Sequence, residues 1–331
     1  MSVIFFQLLL GLTSVTDDRD NDELIIINNF PEYDEHFMER PHRFALSEDY
    51  IYTVDMSQHV IHKFSKDGTY LEDIGREGSG PEEFERPYLI DYQPQNNMLY
   101  VVDQGNRRMQ MIDKTTGEWD TYAIGDYIPQ SFIVNDHIYK FSADLLAPAH
   151  RFKLIESFDV DGNKVATFGH MHSYREITPA FLNRPHYAIH NNDIFIAFHF
   201  LPYLQVYDKQ GELIKDIKLE HPHYEEGYEY NTSREPHQGS GFRPKGLFRG
   251  FSIVDDDYFF ALSEQDYLAD GNLLIDQFDR DGQFVQRYEK TMDLDFIFDV
   301  KVTNEDDQLK IYLLAQQDDI PQFFILTPAA F

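Results

Sequence analysis

Short apolar and aromatic runs, bounded by polar residues and glycines, recur along the chain and predict β-strands rather than helices. The clearest type of run has an aromatic centre and is found six times. The copies are Tyr50–Asp55, Met98–Asp103, His137–Phe141, Asp193–Phe198, Tyr258–Leu262 and Leu309–Leu314. Regularly spaced short strands of this kind indicate an all-β domain.

A second repeated element predicts a hairpin turn after most of these runs. It consists of an aromatic or apolar residue, a short polar run and a glycine, which supplies the positive φ that such turns require. The five copies end at Gly68, Gly117, Gly162, Gly211 and Gly282. The first four glycines are 45 to 49 residues apart, and the last interval holds an insertion. A period of roughly 40 to 50 residues is typical of four-stranded propeller blades.

The two ends of the sequence complement each other in this arrangement. The sixth blade has a third strand at Gln322–Leu326 and no fourth, while Glu23–Asn29 is a β run without a hairpin partner. We therefore predict a six-bladed β-propeller of four-stranded blades over residues 17–331. The N-terminal strand would close the last blade, because this pairing removes an exposed strand edge.

The second blade carries the most specific motif. It reads IGREGSGPEEFERP over Ile74–Pro87 and YVVDQGNRRMQMID over Tyr100–Asp113. This pattern resembles the NHL repeat, and the chain is similar to the exported bacterial six-bladed β-propellers of that family. The resemblance is strong in the second blade, fair in the first and limited to architecture elsewhere. Within the motif, Asp103 is placed to accept turn amides, and Gly105 and Asn106 tolerate left-handed backbone conformations.

Composition and charge narrow the classes of partner. The chain has 58 acidic and 28 basic residues, giving a formal net charge of -30. Such a surface repels a phosphate backbone, so nucleic acid is not expected as a partner. The absence of cysteine excludes disulfides and thiolate metal sites.

The N-terminal residues 1–16 have the character of a signal peptide. Val3–Leu12 is an apolar stretch of signal-peptide length and is too short to span a membrane. It lacks a basic segment before it and a clear cleavage site after it. We expect export to the periplasm or the extracellular space, the alternative being a buried or frayed apolar tail. No other segment is expected to cross a membrane.

An arginine-proline element recurs before the predicted innermost strands. Its copies are Phe37–His42, Phe84–Tyr88, Phe181–His186 and Phe242–Pro244. The element predicts a cationic ring at the channel mouth, suited to capture of a carboxylate or another anion. The candidate ligand-binding residues are Arg40, His42, Arg86, Tyr88, Arg184, His186 and Arg243, with Arg249 as an alternative to Arg243. In the competing interpretation, each arginine pairs with a carboxylate such as Asp55 or Asp103 and links neighbouring blades.

Metal binding is a separate question, because amidating lyases and streptogramin lyases of this architecture use divalent ions. His170 and His172, and likewise His221 and His223, have the i, i+2 spacing of a chelating pair, but both pairs fall in predicted loops. A better placed set would combine His42 and His186 with His190 or His199. Asp159–Asn163 and Asp279–Gly282 resemble the start of a calcium loop without its distal glutamate. Zinc and calcium stay open, and no cofactor is predicted.

The insertion at about 220–249 is rich in His, Tyr, Glu and Gly. Long loops in compact domains tend to be functional, and we expect this one to form a partial lid over the channel mouth. The favoured function is a non-catalytic protein that binds a small anionic ligand, a peptide or a protein at the channel face. The alternative is a metal-dependent lyase or lactonase, with His42 or His186 as ligand or base and an arginine that stabilises the developing oxyanion.

Overall fold

The computed structural model describes residues 22–31, 36–123, 131–134, 138–141, 153–159, 163–172, 180–233, 244–262 and 272–329. Within these residues, the strands form six four-stranded antiparallel blades, and a short parallel pairing joins the last two blades into one eight-stranded sheet. The all-β six-bladed propeller that the sequence predicts is therefore confirmed. The predicted leader at residues 1–16 lies outside the described residues, as does the turn glycine Gly162.

The first four blades each follow one another in the sequence, and their strands lie in sequence order from the channel outward. The first strand, β1, spans Asp22–Phe30. Blade 1 follows it and contains β2 to β5, at Pro41–Leu46, Tyr50–Asp55, Val60–Ser65 and Tyr70–Ile74. Blade 2 contains β6 to β9, at Pro87–Gln93, Met98–Asp103, Arg108–Asp113 and Trp119–Ala123. Blade 3 contains β10 to β13, at Ser131–Val134, Ile138–Phe141, Lys153–Phe158 and Lys164–His170. Blade 4 contains β14 to β17, at Pro185–His190, Asp193–Phe198, Tyr203–Tyr207 and Leu213–Lys218.

The last two blades close the ring through the N-terminal strand. Blade 5 contains β18 to β21, at Phe248–Val254, Asp257–Leu262, Asn272–Phe278 and Phe284–Thr291. Blade 6 contains β22 to β24, at Phe296–Glu305, Gln308–Gln317 and Ile320–Pro328. Its outermost strand is β1, Asp22–Phe30, which pairs antiparallel with β24, Ile26 lying opposite Leu326. The predicted closure by the N-terminal strand is thus observed.

Apolar side chains on the facing surfaces of neighbouring blades hold the ring together. In the described residues, each of the six gaps between blades contains its own cluster of buried apolar side chains. At the gap between blades 6 and 1, Phe30 stacks on Phe323 at 5.3 Å between ring centroids and lies 5.5 Å from Phe64. The end of β1 therefore also packs against the first blade.

Turn geometry follows the sequence prediction at the hairpins. The turn glycines Gly68, Gly117, Gly211 and Gly282 have φ between +78° and +92°. In the blade 2 motif, however, the left-handed residue is Arg107, at φ +54°, rather than Gly105 or Asn106. Gly105 is required for a different reason, because a Cβ there would lie 2.6 Å from the carbonyl oxygen of Glu85.

Part of the insertion is helical, so the expected loop is wrong for residues 222–233. The helix α1 spans Pro222–Ser233. It packs between blades 4 and 5, where its fully buried Tyr224 contacts Phe278. The side-chain amide of Asn231 donates to the carbonyl oxygens of Phe200 and Lys245. Residues 234–243 lie outside the described part of the chain.

A glutamate at the end of β22 links blades 6 and 1 and predicts a measurable pH effect. Glu305 accepts hydrogen bonds from Lys66 of blade 1 at 2.6 Å and from Lys310 at 3.0 Å. Burial raises its pKa, but the two ammonium groups outweigh burial and bring the pKa to about 2. Because this pKa is lowered on folding, the stabilisation is complete above the unfolded value and is lost as the pH falls through about 2.

We expect Glu305→Gln to reduce the free energy of unfolding by about 1 to 2 kcal/mol at pH 7. The difference from the parent should shrink at pH 3, because the unfolded chain then carries a protonated Glu305 and must release that proton on folding, which offsets part of the gain from the charge. Urea denaturation of both proteins at the two pH values measures this. An equal difference at both would contradict the assignment of the effect to the charge.

Candidate anion site in the central channel

The innermost strands all begin at one face of the propeller, which we call the upper face. Here β2, β6 and β14 start with the proline of the arginine-proline element. Two cavities follow the channel from this face. The upper one, about 70 Å³, is lined among others by Arg43, Arg184, His186, Asp299 and Lys301. The lower one, about 350 Å³, shares Tyr187, Phe251 and Lys301 with it, so the two cavities adjoin each other.

Arg184 is held at the upper rim by its backbone. It follows a short 3-10 helix at Ala180–Asn183 and directly precedes β14. The carbonyl oxygen of Arg184 accepts a hydrogen bond from the amide of His199 at 2.8 Å. The buried Asn183 side chain accepts a hydrogen bond from the amide of His172 at 2.7 Å, which links the end of the 3-10 helix to the residues just after β13.

The guanidinium of Arg184 is not neutralised within the described residues, where it has neither a hydrogen-bond nor an ion-pair partner. Burial lowers the pKa of Arg184, and the neighbouring Arg43 lowers it further. The charge of Arg184 is therefore not compensated by any side chain in the part of the protein that the structure describes. An anion beside it would form charge-assisted hydrogen bonds with the guanidinium. These bonds are stronger inside a narrow cavity than in bulk water, because the cavity screens charges less.

Arg43 is the second guanidinium of the upper cavity, and it is partly neutralised. Its Nη1 donates to the carbonyl oxygen of Phe298 and lies 3.6 Å from Oδ1 of Asp299. Asp299 also accepts a hydrogen bond from the amide of Phe44 at 3.2 Å. With Arg184 and Lys301, the lining residues carry three positive charges against the single carboxylate of Asp299. The described lining of the upper cavity is therefore cationic inside a strongly acidic protein.

Two histidines lie beside these arginines and are uncharged at neutral pH. Nε2 of His186 is 3.3 Å from Nδ1 of His199. Burial, then the neighbouring His199 and Arg43, place the pKa of His186 well below its usual value. For His199, burial is followed by the charges of Arg184 and Arg249. A neutral imidazole pair offers both a donor and an acceptor, and it adds hydrogen-bonding capacity without adding charge.

The other candidates from blades 1 and 2 lie differently. The ring of His42 stacks on Tyr88 at 4.1 Å, and its Nδ1 lies 2.8 Å from the carbonyl oxygen of Tyr88. Burial and Arg43 lower the pKa of His42 to about 3. Arg40 and Arg86 are exposed and line neither cavity. Arg243 lies outside the described residues.

The carboxylates of the competing interpretation bind other groups. Asp55 accepts hydrogen bonds from the backbone amides of Glu39 and Arg40, at 2.7 and 3.0 Å. Asp103 accepts from the amide of Glu85 at 2.7 Å and from Nε of Arg108 at 2.8 Å. Both aspartates thus support the backbone of the arginine-proline element, and neither is shown paired with the element's arginine side chain.

Sequence reasoning missed Arg43, Asp299 and Lys301. A usable signal was present, because each is a charged residue next to at least one apolar residue within an innermost strand. A charge at such a place needs a partner or a polar cavity. Arg43 directly follows the Arg40–His42 segment of the repeated element, and the sequence prediction named Arg40 rather than Arg43.

The histidine pairs proposed as chelators also differ from the expectation. His170 belongs to β13 and not to a loop, and it lies 3.4 Å from Asp216. Nε2 of His172 is 3.7 Å from the same carboxylate. His223 belongs to the first turn of α1. His190 pairs with Asp256 at 3.0 Å.

In the described residues, no helix is long and apolar enough to span a membrane.

Comparison with known proteins shows relatives of the same architecture. NHL repeat-containing protein 3 of Homo sapiens is 37% identical over 73 residues, which are 21% of this chain and 20% of the human protein. The match therefore spans about a fifth of that relative. A Bacteroides fragilis protein described as exported aligns with a TM-score of 0.61 at 10% identity, over 93% of this chain and 96% of that one.

A second solved structure, virginiamycin B lyase from Staphylococcus aureus with quinupristin, aligns with a TM-score of 0.53 at 12% identity, over 89% and 82% of the two chains. At these identities the two structural matches show the fold alone. The family DUF5128, described as a 6-bladed beta-propeller, matches residues 33–227, more than half of the chain. Together with the blades and the NHL-like motif, this match shows that the chain belongs to that family of six-bladed β-propellers.

Proposed function

We propose that this protein is a non-catalytic binding protein that holds a small anion, a carboxylate or a phosphate, in the upper cavity of its channel. The observation that carries the proposal is the guanidinium of Arg184, which lines the cavity and has no hydrogen-bonding or ionic partner among the described residues. A guanidinium can donate two parallel hydrogen bonds to one carboxylate or phosphate. His186 supports the same ligand with a neutral ring nitrogen.

The dimensions of the channel favour a small anionic group. The upper cavity of about 70 Å³ suits a carboxylate or phosphate rather than a whole bulky ligand, while the lower cavity of about 350 Å³ accommodates more. The anionic group can belong to a free small molecule or to the C-terminus of a peptide that reaches in from the upper face. Lys301, which lines both cavities, contributes a third positive charge.

Thermal denaturation with a panel of carboxylates, phosphates and short peptides tests the proposal. At a 100-fold excess over Kd, a ligand that binds only the folded state stabilises it by about 2.7 kcal/mol, which raises Tm by several degrees. We expect Arg184→Ala to lose this shift, because the bidentate contact and its charge are both removed. Arg86→Ala is the matched control, since Arg86 has the same position in the repeated element but is exposed outside both cavities.

Two results would contradict the anion site. One is a parent protein whose Tm none of the anions changes, and the other is an equal loss of the shift in both arginine variants. Peptides with free and amidated C-termini distinguish the two sources of the carboxylate. A shift with the free peptide alone indicates peptide capture, and a shift with small carboxylates indicates a free metabolite.

The second candidate function is a lyase or lactonase reaction at the same place. It is favoured by a neutral imidazole on His186 in the same cavity as the uncompensated Arg184. These are the base and the oxyanion-stabilising group that such chemistry needs. Mass spectrometry of each stabilising ligand after prolonged incubation distinguishes the functions, because a binding protein returns the ligand unchanged.

Export belongs to the same proposal. It is supported by the apolar stretch Val3–Leu12 and by the structural likeness to a Bacteroides fragilis protein described as exported. An exported binding protein would meet small anions outside the cytoplasm. N-terminal sequencing of the protein recovered from its source would test this, because export by a signal peptide predicts a mature N-terminus near residue 16.

A further inference from the structure

We propose that His36, His62 and Asp73 form a zinc site at the gap between blades 6 and 1, away from the channel. Among the described residues, these three make up the one group of His, Asp or Glu whose ligating atoms all lie within 4.8 Å of one another. Nδ1 of His62 is 2.6 Å from Oδ1 of Asp73 and 3.0 Å from Nε2 of His36. Nε2 of His36 is 3.9 Å from the same carboxylate oxygen.

These separations are close to those of a zinc coordination shell. Zinc binds imidazole nitrogen and carboxylate oxygen at about 2.0 to 2.2 Å, so two ligands of a tetrahedral site lie about 3.3 Å apart. The three observed distances bracket this value. Asp73 lies on the outer strand β5 and its side chain is 36% exposed, so it can make the shift of somewhat more than half an ångström that coordination requires.

Protons alone do not satisfy the contacts at Nδ1 of His62. This nitrogen has a single in-plane position, which holds either a hydrogen or a lone pair. Its two close neighbours, Asp73 and His36, would have to share that position. A cation placed between the three atoms instead receives one lone pair from each of them. The contact geometry is thus explained better by a metal ion than by hydrogen bonds.

The surroundings also orient His62 as metal-binding histidines usually are. Its side chain is fully buried, and Nε2 faces the buried carboxylate of Asp55 at 3.5 Å. A ligating histidine typically directs its other nitrogen to a carboxylate, which fixes the ring and raises its basicity. The ring of His36 is fixed by stacking on Tyr70 at 3.8 Å.

Blade 4 offers an internal comparison, because Gln205 stands where His62 stands in blade 1. Both residues lie six positions before the turn glycine and opposite an aspartate of the outer strand, Asp216 or Asp73. In blade 4, Nε2 of Gln205 lies 3.0 and 3.2 Å from ring nitrogens of His170 and His172. The side-chain amide of Gln205 can therefore donate hydrogen bonds to these histidines. In blade 1 the equivalent position holds an imidazole nitrogen of His62.

The ligand set indicates the type of metal. Two imidazoles and one carboxylate favour zinc over magnesium or calcium, which prefer oxygen ligands. Three protein ligands leave the fourth position of a tetrahedral zinc ion for water. The partial exposure of Asp73 gives solvent access to that position.

Calorimetric titration of the metal-free full chain with Zn²⁺ tests the site. We expect one zinc ion per chain, and millimolar Mg²⁺ should not compete. His62→Gln should weaken binding by at least about 100-fold. This variant is expected to fold, because blades 2 and 4 carry glutamine at the equivalent buried position, as Gln110 and Gln205. Asp73→Asn should weaken binding as well, and it alters only a partly exposed side chain.

Asp216→Asn is the matched control, since it changes the corresponding outer-strand carboxylate of blade 4 and should leave the zinc affinity unchanged. Co²⁺ gives a second readout, because a four-coordinate Co²⁺ complex absorbs strongly in the visible range and His62→Gln should abolish this absorption. The proposal is overturned if the parent binds no stoichiometric zinc. It is equally overturned if His62→Gln and Asp73→Asn bind zinc as tightly as the parent.

Discussion

Leu24→Asp is expected to cause the largest loss of stability of any change considered, at least about 4 kcal/mol. Leu24 is fully buried in the cluster between blades 5 and 6, and it belongs to the strand that closes the ring. The substitution removes the apolar contacts of the side chain and places a carboxylate inside a cluster of apolar side chains. Urea denaturation followed by circular dichroism measures the loss, which should extend to the whole propeller if the blades unfold together.

The neighbouring residue provides the control for this variant. Ile25 points to the opposite side of the same strand and is 41% exposed. Because a surface substitution of this kind usually changes stability by no more than about 0.5 kcal/mol, Ile25→Asp should behave like the parent. Equal losses in the two variants would show that β1 as a whole, rather than its buried face, determines the effect. An unaffected Leu24→Asp protein would contradict the role of β1 in closure.

The number of blades and their closure were predictable because the signals are local. A hairpin glycine with φ near +90° is needed wherever the chain turns tightly, as at Gly68 and Gly211, and the period follows from the spacing of these turns. The closing strand was predictable because an unpaired strand edge is unfavourable. The unmatched run at the N-terminus and the incomplete sixth blade each needed a partner, and β1 with β24 is the pairing observed.

The helix in the insertion was missed although it carries recognisable signals. Pro222 stands at its first position, where the missing amide hydrogen does no harm, and Glu225 lies in its first turn. Tyr224 and Asn231, seven residues apart and hence on one face, are its buried contacts. The many tyrosines and the central Gly227 weakened the helical pattern, and packing between blades 4 and 5 decides the outcome.

The candidate site was only partly predictable, because a repeated sequence does not fix the direction of a side chain. Arg40, Arg86 and Arg184 share one motif position, yet of these three only Arg184 lines one of the two cavities. Arg86 has φ +56°, which is a local reversal of the backbone that sequence does not reveal. In blade 1, the cavity arginine is Arg43, three positions further along the chain. The motif predicts a site at the upper face, and which of its charges point inward depends on the conformation of each turn.

The charge distribution gives the channel its character. With a net charge of -30, the outer surface is dominated by carboxylates, whereas the described lining of the upper cavity is cationic. An anion approaching from bulk solvent meets repulsion at the surface and attraction inside, so binding should become faster with added salt until the attraction itself is screened. This arrangement favours small anions over large polyanions. A small anion fits entirely inside the cavity, whereas a large polyanion would stay in contact with the repulsive outer surface.

Asp103→Ala is expected to reduce the free energy of unfolding by about 3 to 5 kcal/mol, the second largest effect. The carboxylate of Asp103 is fully buried and accepts hydrogen bonds from the amide of Glu85, the side-chain amide of Asn106 and Nε of Arg108. Alanine leaves these donors without their acceptor. It also leaves the guanidinium of Arg108, which is only 14% exposed, without its carboxylate.

Asp113→Ala is the matched control for this last variant, because it removes the same carboxylate type from a strand end of the same blade. Asp113 accepts hydrogen bonds from the amides of Thr115 and Thr116, at 2.7 and 3.2 Å, in an exposed turn. Water can replace the carboxylate there, so the loss should be about 1 kcal/mol or less. Guanidinium chloride denaturation of the two variants compares them directly. An equal or smaller loss of unfolding free energy in Asp103→Ala than in Asp113→Ala would mean that the buried aspartate of the NHL-like motif acts as an ordinary turn residue. Its three hydrogen bonds would then not explain why blade 2 holds its arginine-proline element in place.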